Sequence, residues 1–136
     1  MREIAQSIYE CGIVPVVKLE DANLAVLLAK TLMAGGIGCI EVTFRTGAAK
    51  QAIRNISQEC PDMLVGAGTV LTIAQVEDAV SAGAEFIVTP GFNPSIVAYC
   101  VEHEIPVFPG CSTPAAIEGA LEMGITDLKF FPAEES

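Results

Sequence analysis

Ser81-Ala82-Gly83-Ala84-Glu85-Phe86-Ile87-Val88 is the stretch that decides the fold, because it joins the end of a helix to a buried strand. The residues before it, Ile73 to Ala82, have a helical pattern, and glycine just past a helix end is the usual left-handed stop. Phe86-Ile87-Val88 is a continuous apolar run, typical of a parallel strand that is covered on both faces. The same junction recurs at Ala34-Gly35-Gly36-Ile37 and Glu122-Met123-Gly124-Ile125.

Apolar, β-branched segments recur along the whole chain, about 20 to 25 residues apart. They begin near Ile13, Gly38, Met63, Glu85, Ile105 and Thr126. Helical patterns lie between them, at Asn23 to Ala34, Ala48 to Gln58, Ile73 to Ala82, Pro94 to Glu102 and Pro114 to Glu122. A short helix from Arg2 to Cys11 is expected to cap the bottom of the sheet. This alternation predicts an α/β fold of successive βα units with a parallel sheet, in a single domain over residues 1–136.

The composition excludes several classes of partner. The net charge of −10 argues against nucleic acid and against anionic membrane surfaces. No apolar run approaches the ~20 residues that span a bilayer, and the first residues lack the apolar core of a signal peptide. The five cysteines include no C-x-x-C pair, so we expect reduced thiols in a cytoplasmic protein.

One lysine lies inside the apolar strand Asp127-Leu128-Lys129-Phe130-Phe131-Pro132. Burial favours the neutral amine of a lysine, which attacks a carbonyl to form a Schiff base. Phe131 shares the face of Lys129, and Leu128 and Phe130 take the other. Asp127 also lies on the Lys129 face, so a salt bridge between Asp127 and Lys129, which would silence the amine, is an equally good interpretation of this strand.

A second polar group follows the second predicted strand, Glu41-Val42-Thr43-Phe44-Arg45-Thr46. Alternation places Glu41, Thr43 and Arg45 on one face. Arginine binds a carboxylate through two parallel hydrogen bonds, and a buried glutamate transfers protons. The alternative is a simple ion pair between Glu41 and Arg45. Counting five residues from Gly36 and from Gly124 reaches Glu41 and Lys129, so both lie at the same depth, at the end of the sheet where ligands bind.

Small residues and turn residues fill the loops after the strands, at Gly66-Ala67-Gly68-Thr69, Thr89-Pro90-Gly91 and Pro109-Gly110-Cys111-Ser112-Thr113-Pro114. Such loops let backbone N–H groups approach a ligand closely, although the first is also compatible with a plain tight turn. The chain has few positively charged side chains. Three of them, Lys18, Arg45 and Lys129, lie at or just after the ends of predicted strands, a place that favours binding of a small anion. His103 stands alone, and no histidine is placed to activate Cys111 or Ser112. We therefore expect no metal and no cofactor.

Together these motifs resemble the 2-keto-3-deoxy-6-phosphogluconate (KDPG) and 4-hydroxy-2-oxoglutarate (KHG) aldolase family. The resemblance extends from about Cys11 to Glu134. It includes Gly12-Ile13-Val14-Pro15-Val16, Glu41-Val42-Thr43-Phe44-Arg45-Thr46, Val65-Gly66-Ala67-Gly68-Thr69-Val70, Thr89-Pro90-Gly91, Pro109-Gly110-Cys111-Ser112-Thr113 and Lys129-Phe130-Phe131-Pro132-Ala133-Glu134. It implies a (β/α)8 TIM barrel, usually a homotrimer, that cleaves a 2-keto acid to pyruvate and a phosphorylated or acidic aldehyde.

The resemblance also implies a role for each site residue. Lys129 would form the Schiff base, and Glu41 would be the general acid/base that relays protons through a water molecule. Arg45 and Thr69 would hold the pyruvyl carboxylate. Lys18 would be a remnant phosphate contact. Three other residues would contact or shape the substrate site, namely Gly68, Pro90 and Phe131.

The chain differs from the family in showing six βα units where the barrel has eight, and we expect a barrel that is cut short at its C-terminus. A full barrel takes ~200 residues or more, and strands one and six would be bare edges. A non-catalytic scaffold that assembles through these edges is therefore an alternative. Another lysine-dependent barrel aldolase, such as one acting on deoxyribose phosphate, is a third hypothesis, which Glu41-Val42-Thr43-Phe44-Arg45-Thr46 disfavours.

Overall fold

The computed structural model describes residues 2–134 and consists of six strands that alternate with helices. The strands are β1 (Val16–Val17), β2 (Cys39–Thr43), β3 (Leu64–Gly68), β4 (Ile87–Thr89), β5 (Val107–Cys111) and β6 (Lys129–Phe130). The helices are α1 (Arg2–Cys11), α2 (Ala25–Ala34), α3 (Ala49–Glu59), α4 (Ile73–Ala82), α5 (Pro94–Glu102) and α6 (Pro114–Glu122), and a 3₁₀ helix (Ala22–Leu24) precedes α2. The predicted alternation is confirmed.

The strands pair in chain order, and every neighbouring pair is parallel. Within the described residues β1 and β6 each have one neighbour, so they are the bare edges that the sequence predicts. The register places Glu41 between Val16 and Gly66, and Lys129 beside Gly110. Since all strands run in the same direction, the loops that follow them lie together at one end of the sheet.

Local sequence signals explain where the helices begin and end. The side chains of Thr72, Asn93 and Thr113 accept hydrogen bonds from the first-turn N–H groups of α4, α5 and α6. Both α5 and α6 then begin with proline, which has no N–H to leave unsatisfied at that position. Gly83 ends α4 with a φ of 110°, and the matching glycines of the other two junctions also have positive φ. The repeated glycine therefore acts as the predicted helix stop.

The two faces of the sheet are covered by different elements. Between the sheet and α2–α6 lies the main core, with fully buried side chains such as Ile40, Ile53 and Ile87. On the other face Phe86 and Val88 pack with residues of α1 and of the first positions of β2 and β3: Ile4, Ile8, Cys11, Cys39 and Leu64. Helix α1 thus covers the amino-terminal end of the strands, as the sequence predicts.

No helix within residues 2–134 is long and apolar enough to cross a membrane. All five cysteines are free thiols.

Candidate active site

The side chains of Lys129 and Glu41 meet on the inner face of the sheet. Lys129 lies on the edge strand β6 and Glu41 in the middle of β2, and Nζ of Lys129 is 3.9 Å from Oε1 of Glu41. The lysine side chain is 25% exposed and the glutamate side chain 5%. The structure therefore brings together the two residues that the sequence places at matching depths.

The structure decides between the ion pairs that the sequence left open. Within the described residues the ion-pair partner of Lys129 is Glu41 and not Asp127, whose Oδ2 accepts a long hydrogen bond of 3.5 Å from Thr126. Arg45 forms no ion pair with Glu41 in that part of the chain. Its Nε–H instead donates to Oγ1 of Thr69 over 3.2 Å.

Burial raises the pKa of Glu41, because removal from water disfavours the carboxylate. The nearby charges of Lys129 and Arg45 oppose this effect, but the net change in the pKa is upward. Within residues 2–134, Oε1 is buried without a hydrogen-bond partner, and the 3.9 Å gap to Nζ is too long for a direct hydrogen bond. A buried carboxyl group with a raised pKa and a cation nearby suits proton transfer.

Arg45 reaches the site from a turn and not from the strand. Strand β2 ends at Thr43, so the prediction that the strand extends to Arg45 was wrong, although the charge of Arg45 still acts on Glu41. Thr43 is buried, and its hydroxyl donates to the carbonyl of Val17 over 2.9 Å. The Arg45–Thr69 bond uses Nε–H and leaves the terminal NH₂ groups of the guanidinium for a carboxylate.

The end of β3 lies against Glu41. A Cβ on Gly68 would overlap Oε1 of Glu41 and would lie 2.6 Å from Cδ and 2.7 Å from Cγ. Thr69, the next residue, has a φ of 51°, a left-handed conformation that is uncommon for a residue with a side chain. Gly68 and Thr69 thus place the end of β3 between the carboxyl group and the arginine.

Phe131 and Pro90 lie next to the lysine strand. The ring centroid of Phe131 is 4.6 Å from Nζ of Lys129, a cation–π distance, and the two residues share a side as the sequence predicts. Pro90 follows β4, and its carbonyl would overlap a Cβ on Gly110, which pairs with Lys129. Sequence reasoning gave Gly110 no role of its own, because its position beside the lysine follows only from the register of β5 and β6.

Lys18 lies outside this cluster. Its side chain is 54% exposed, and its Nζ is 3.5 Å from Oε1 of Glu20. Lys18 follows β1, so it is placed at the same end of the sheet as the loops, with an acidic neighbour.

A cavity of about 530 Å³ adjoins the Lys129–Glu41 pair. Its walls include Val16, Val88 and Phe108 and residues of α1, among them Ile8 and Tyr9. Since side chains from β1 and from β6 line the same space, the sheet curves around it. The sequence placed α1 below the sheet but not in this cavity; the helical spacing of Ile4 and Ile8 was the signal for its apolar face. A second cavity, of about 480 Å³, contains neither residue of the pair.

The other sequence candidates have no contact with the pair among the hydrogen bonds and ion pairs of residues 2–134, although Cys111 pairs with Phe130 next to Lys129. His103 is exposed at the end of α5, where its ring stacks on Tyr99. Cys111 is buried, and burial raises the pKa of its thiol. Within residues 2–134 no group of three or more His, Cys, Asp or Glu side chains is placed to hold a metal ion.

Comparison with known proteins identifies the family of this chain. Residues 4–136 match the family model described as KDPG and KHG aldolase. The 2-dehydro-3-deoxy-phosphogluconate aldolase of Treponema pallidum is 52% identical over 134 residues, which are 98% of this chain and 64% of that protein.

Solved structures agree with this match. The 2-keto-3-deoxy-6-phosphogluconate aldolase of Zymomonas mobilis ZM4 with 3-phosphoglycerate is similar with a TM-score of 0.93 at 38% identity, over 99% of this chain and 64% of that one. The KDPG aldolase of Legionella pneumophila, with pyruvate captured at low pH as a covalent carbinolamine intermediate, is similar with a TM-score of 0.87 at 39% identity. The match covers 90% of this chain and 59% of that one. The chain thus spans less than two thirds of the length of these relatives.

Proposed function

Because the chain belongs to the KDPG and KHG aldolase family, we propose that it is a class I, metal-independent aldolase that acts through a Schiff base on Lys129. The substrates are KDPG, cleaved to pyruvate and glyceraldehyde 3-phosphate, and KHG, cleaved to pyruvate and glyoxylate. The observation that carries the proposal is the ammonium of Lys129 at 3.9 Å from the buried carboxyl group of Glu41. The covalent carbinolamine of pyruvate in the Legionella pneumophila relative supports the same chemistry.

The first step is the formation of the Schiff base. A proton passes from the ammonium of Lys129 to the carboxylate of Glu41, whose raised pKa makes it a competent acceptor. The neutral amine then attacks the keto carbon, which gives a carbinolamine. Glu41 returns the proton to the departing hydroxyl, and loss of water leaves the iminium. Since the two groups are 3.9 Å apart, a water molecule between them relays the proton.

Carbon–carbon cleavage uses the same two residues. The proton of the substrate 4-hydroxyl moves to the Glu41 carboxylate, and the electrons of the C3–C4 bond move toward the iminium nitrogen. The aldehyde leaves, and an enamine remains on Lys129. Protonation of the enamine at C3 by Glu41 and hydrolysis of the resulting iminium release pyruvate and restore the lysine.

Substrate binding is assigned to residues around this pair. Arg45, held by Thr69, binds the carboxylate of the pyruvyl group through its terminal NH₂ groups. Lys18 contacts the phosphorylated or acidic end of the substrate, because it lies at the same end of the sheet. Three further residues line the pyruvyl site, namely Gly68, Pro90 and Phe131. The reaction so described requires no cofactor.

The test is pyruvate release from KDPG and from KHG, followed with a coupled dehydrogenase. We expect release by the unmodified chain and none by Lys129→Ala, with Lys50→Ala as the matched control for removal of a lysine that pairs with Asp78 away from the site. Activity retained in Lys129→Ala would overturn the assignment. The second candidate function is a non-catalytic scaffold that assembles through the open edges β1 and β6. An unmodified chain that forms oligomers but releases no pyruvate would support the scaffold instead.

A further inference from the structure

We infer that Gly68 is a positioning residue, whose missing side chain provides the space in which the carboxyl group of Glu41 faces Lys129. This inference rests on the proposed function and adds to the contact role given to Gly68 above. It concerns how the acid/base group is held in place and not how the substrate is bound.

The register of β2 and β3 explains the contact. Glu41 pairs with Gly66, and Gly68 lies two residues farther along β3, on the same face. The side chain of Glu41 therefore extends along the neighbouring strand and lies on the backbone of Gly68. A Cβ at that position would overlap Oε1 and would approach Cδ and Cγ within 2.6 Å and 2.7 Å.

The other glycine on this face of β3, Gly66, makes room for a different side chain. A Cβ on Gly66 would overlap the ring of Phe86, which is buried and packs edge to face on Phe108 with centroids 5.9 Å apart. Phe86 therefore occupies the space above Gly66, and the carboxyl group of Glu41 occupies the space above Gly68. The two glycines admit different groups, and only Gly68 admits the carboxyl group.

Packing is what fixes this carboxyl oxygen. Within residues 2–134 Oε1 of Glu41 has no hydrogen-bond partner, and its distance of 3.9 Å from Nζ of Lys129 exceeds a hydrogen bond. Nor does the backbone require glycine at this position, because Gly68 is not among the glycines with positive φ. An alanine would fit the backbone of β3, so the constraint on residue 68 comes from Glu41.

The experiment adds one carbon atom at position 68 and removes one carbon atom at position 41. Gly68→Ala adds a methyl group, and Glu41→Asp removes one methylene group from the side chain that the methyl group would strike. The measured quantity is the rate at which pyruvate is trapped on Lys129 with borohydride, for the unmodified chain, both single variants and the double variant. Gly66→Ala is the matched control, since its methyl group meets Phe86.

When Glu41 is retained, we expect Gly68→Ala to slow trapping by about 100-fold, the lower end of what general acid/base catalysis supplies. When Gly68→Ala is added to the Glu41→Asp variant, it should slow trapping by less than about threefold, because the shorter side chain leaves room. The pH optimum for trapping should also move up in Gly68→Ala, because the carboxyl group of Glu41 no longer accepts the proton of the Lys129 ammonium. Gly66→Ala should keep the original optimum.

Equal losses with and without Glu41→Asp would overturn the inference, as would an unchanged pH optimum in Gly68→Ala. If Gly68→Ala does not fold, a folded Glu41→Asp/Gly68→Ala variant supports the inference and an unfolded one overturns it. If the unmodified chain traps no pyruvate, the proposed function fails. The inference is then decided by the NMR titration of the Glu41 carboxyl carbon, which Gly68→Ala should change and Gly66→Ala should not.

Discussion

Replacing Lys129 with methionine should destabilise the protein at neutral and alkaline pH but not in acid. Methionine keeps most of the apolar stem, so the variant loses chiefly the ammonium at 3.9 Å from Oε1 of Glu41. Two unit charges about 4 Å apart attract by about 1 kcal/mol in water and about 4 kcal/mol at an effective dielectric constant of about 20. Because the lysine side chain is 25% exposed and the glutamate side chain 5%, we expect a loss of about 2 kcal/mol, between these limits, where Glu41 is fully ionised.

The pH dependence of this loss follows from the raised pKa of Glu41. Below the ordinary pKa of 4.5, Glu41 is protonated in both the folded and the unfolded state, so the ammonium has no carboxylate to stabilise. The loss should appear as the pH rises through the raised pKa of the folded state and Glu41 ionises. Urea unfolding of both proteins at a series of pH values from about 4 to 9 measures it.

Lys50→Met is the control for this measurement. Nζ of Lys50 is only 2.8 Å from Oδ1 of Asp78, but the two side chains are 40% and 49% exposed. Exposed ion pairs contribute about 0.2–1 kcal/mol to stability. The Lys50–Asp78 pair should therefore contribute less to stability than the Lys129–Glu41 pair, although it is shorter. If Lys129→Met loses no more stability than Lys50→Met, or loses as much at pH 4 as at pH 8, the electrostatic coupling of Lys129 to Glu41 is refuted.

Two further substitutions test the same site. Because the pKa of Glu41 is raised in the folded state, the stability of the unmodified chain should fall as the pH rises from 4.5 through that pKa. The Glu41→Gln variant should not show this fall in urea unfolding. Parallel curves of stability against pH for the two proteins would contradict a raised pKa of Glu41. Arg45→Met should raise the pyruvate concentration for half-maximal trapping on Lys129 by about tenfold, from charge-assisted hydrogen bonds of about 1.5–3 kcal/mol, and should change the maximal rate less. An unchanged half-maximal concentration would remove Arg45 from the carboxylate site.

The sequence was sufficient to bring Lys129 and Glu41 together, because the glycines after the helices mark matching positions along the chain. Gly36 and Gly124 both have positive φ, and Glu41 and Lys129, each five residues farther on, both lie in the strand that follows. Counting along a parallel strand then gives depth, since all strands rise by a similar amount per residue. The matching depth of the two residues therefore depends only on local signals, which the sequence carries.

Features that depend on contacts between strands were beyond the sequence. The turn that begins after Thr43 removes Arg45 from the strand, and nothing in the alternation indicates where a strand stops. The contact of Gly68 with Glu41 requires the register of β2 and β3. The choice of Glu41 over Asp127 as the partner of Lys129 depends on how far the sheet curves.

Covalent capture of pyruvate tests the central claim most directly. The chain is incubated with pyruvate and borohydride, its intact mass is measured, and the modified peptide is mapped. We predict one reduced pyruvate adduct, located on Lys129 and absent from Lys129→Ala. A folded chain that gives no adduct, or gives one on a lysine other than Lys129, would contradict the assignment of Lys129 as the Schiff-base residue.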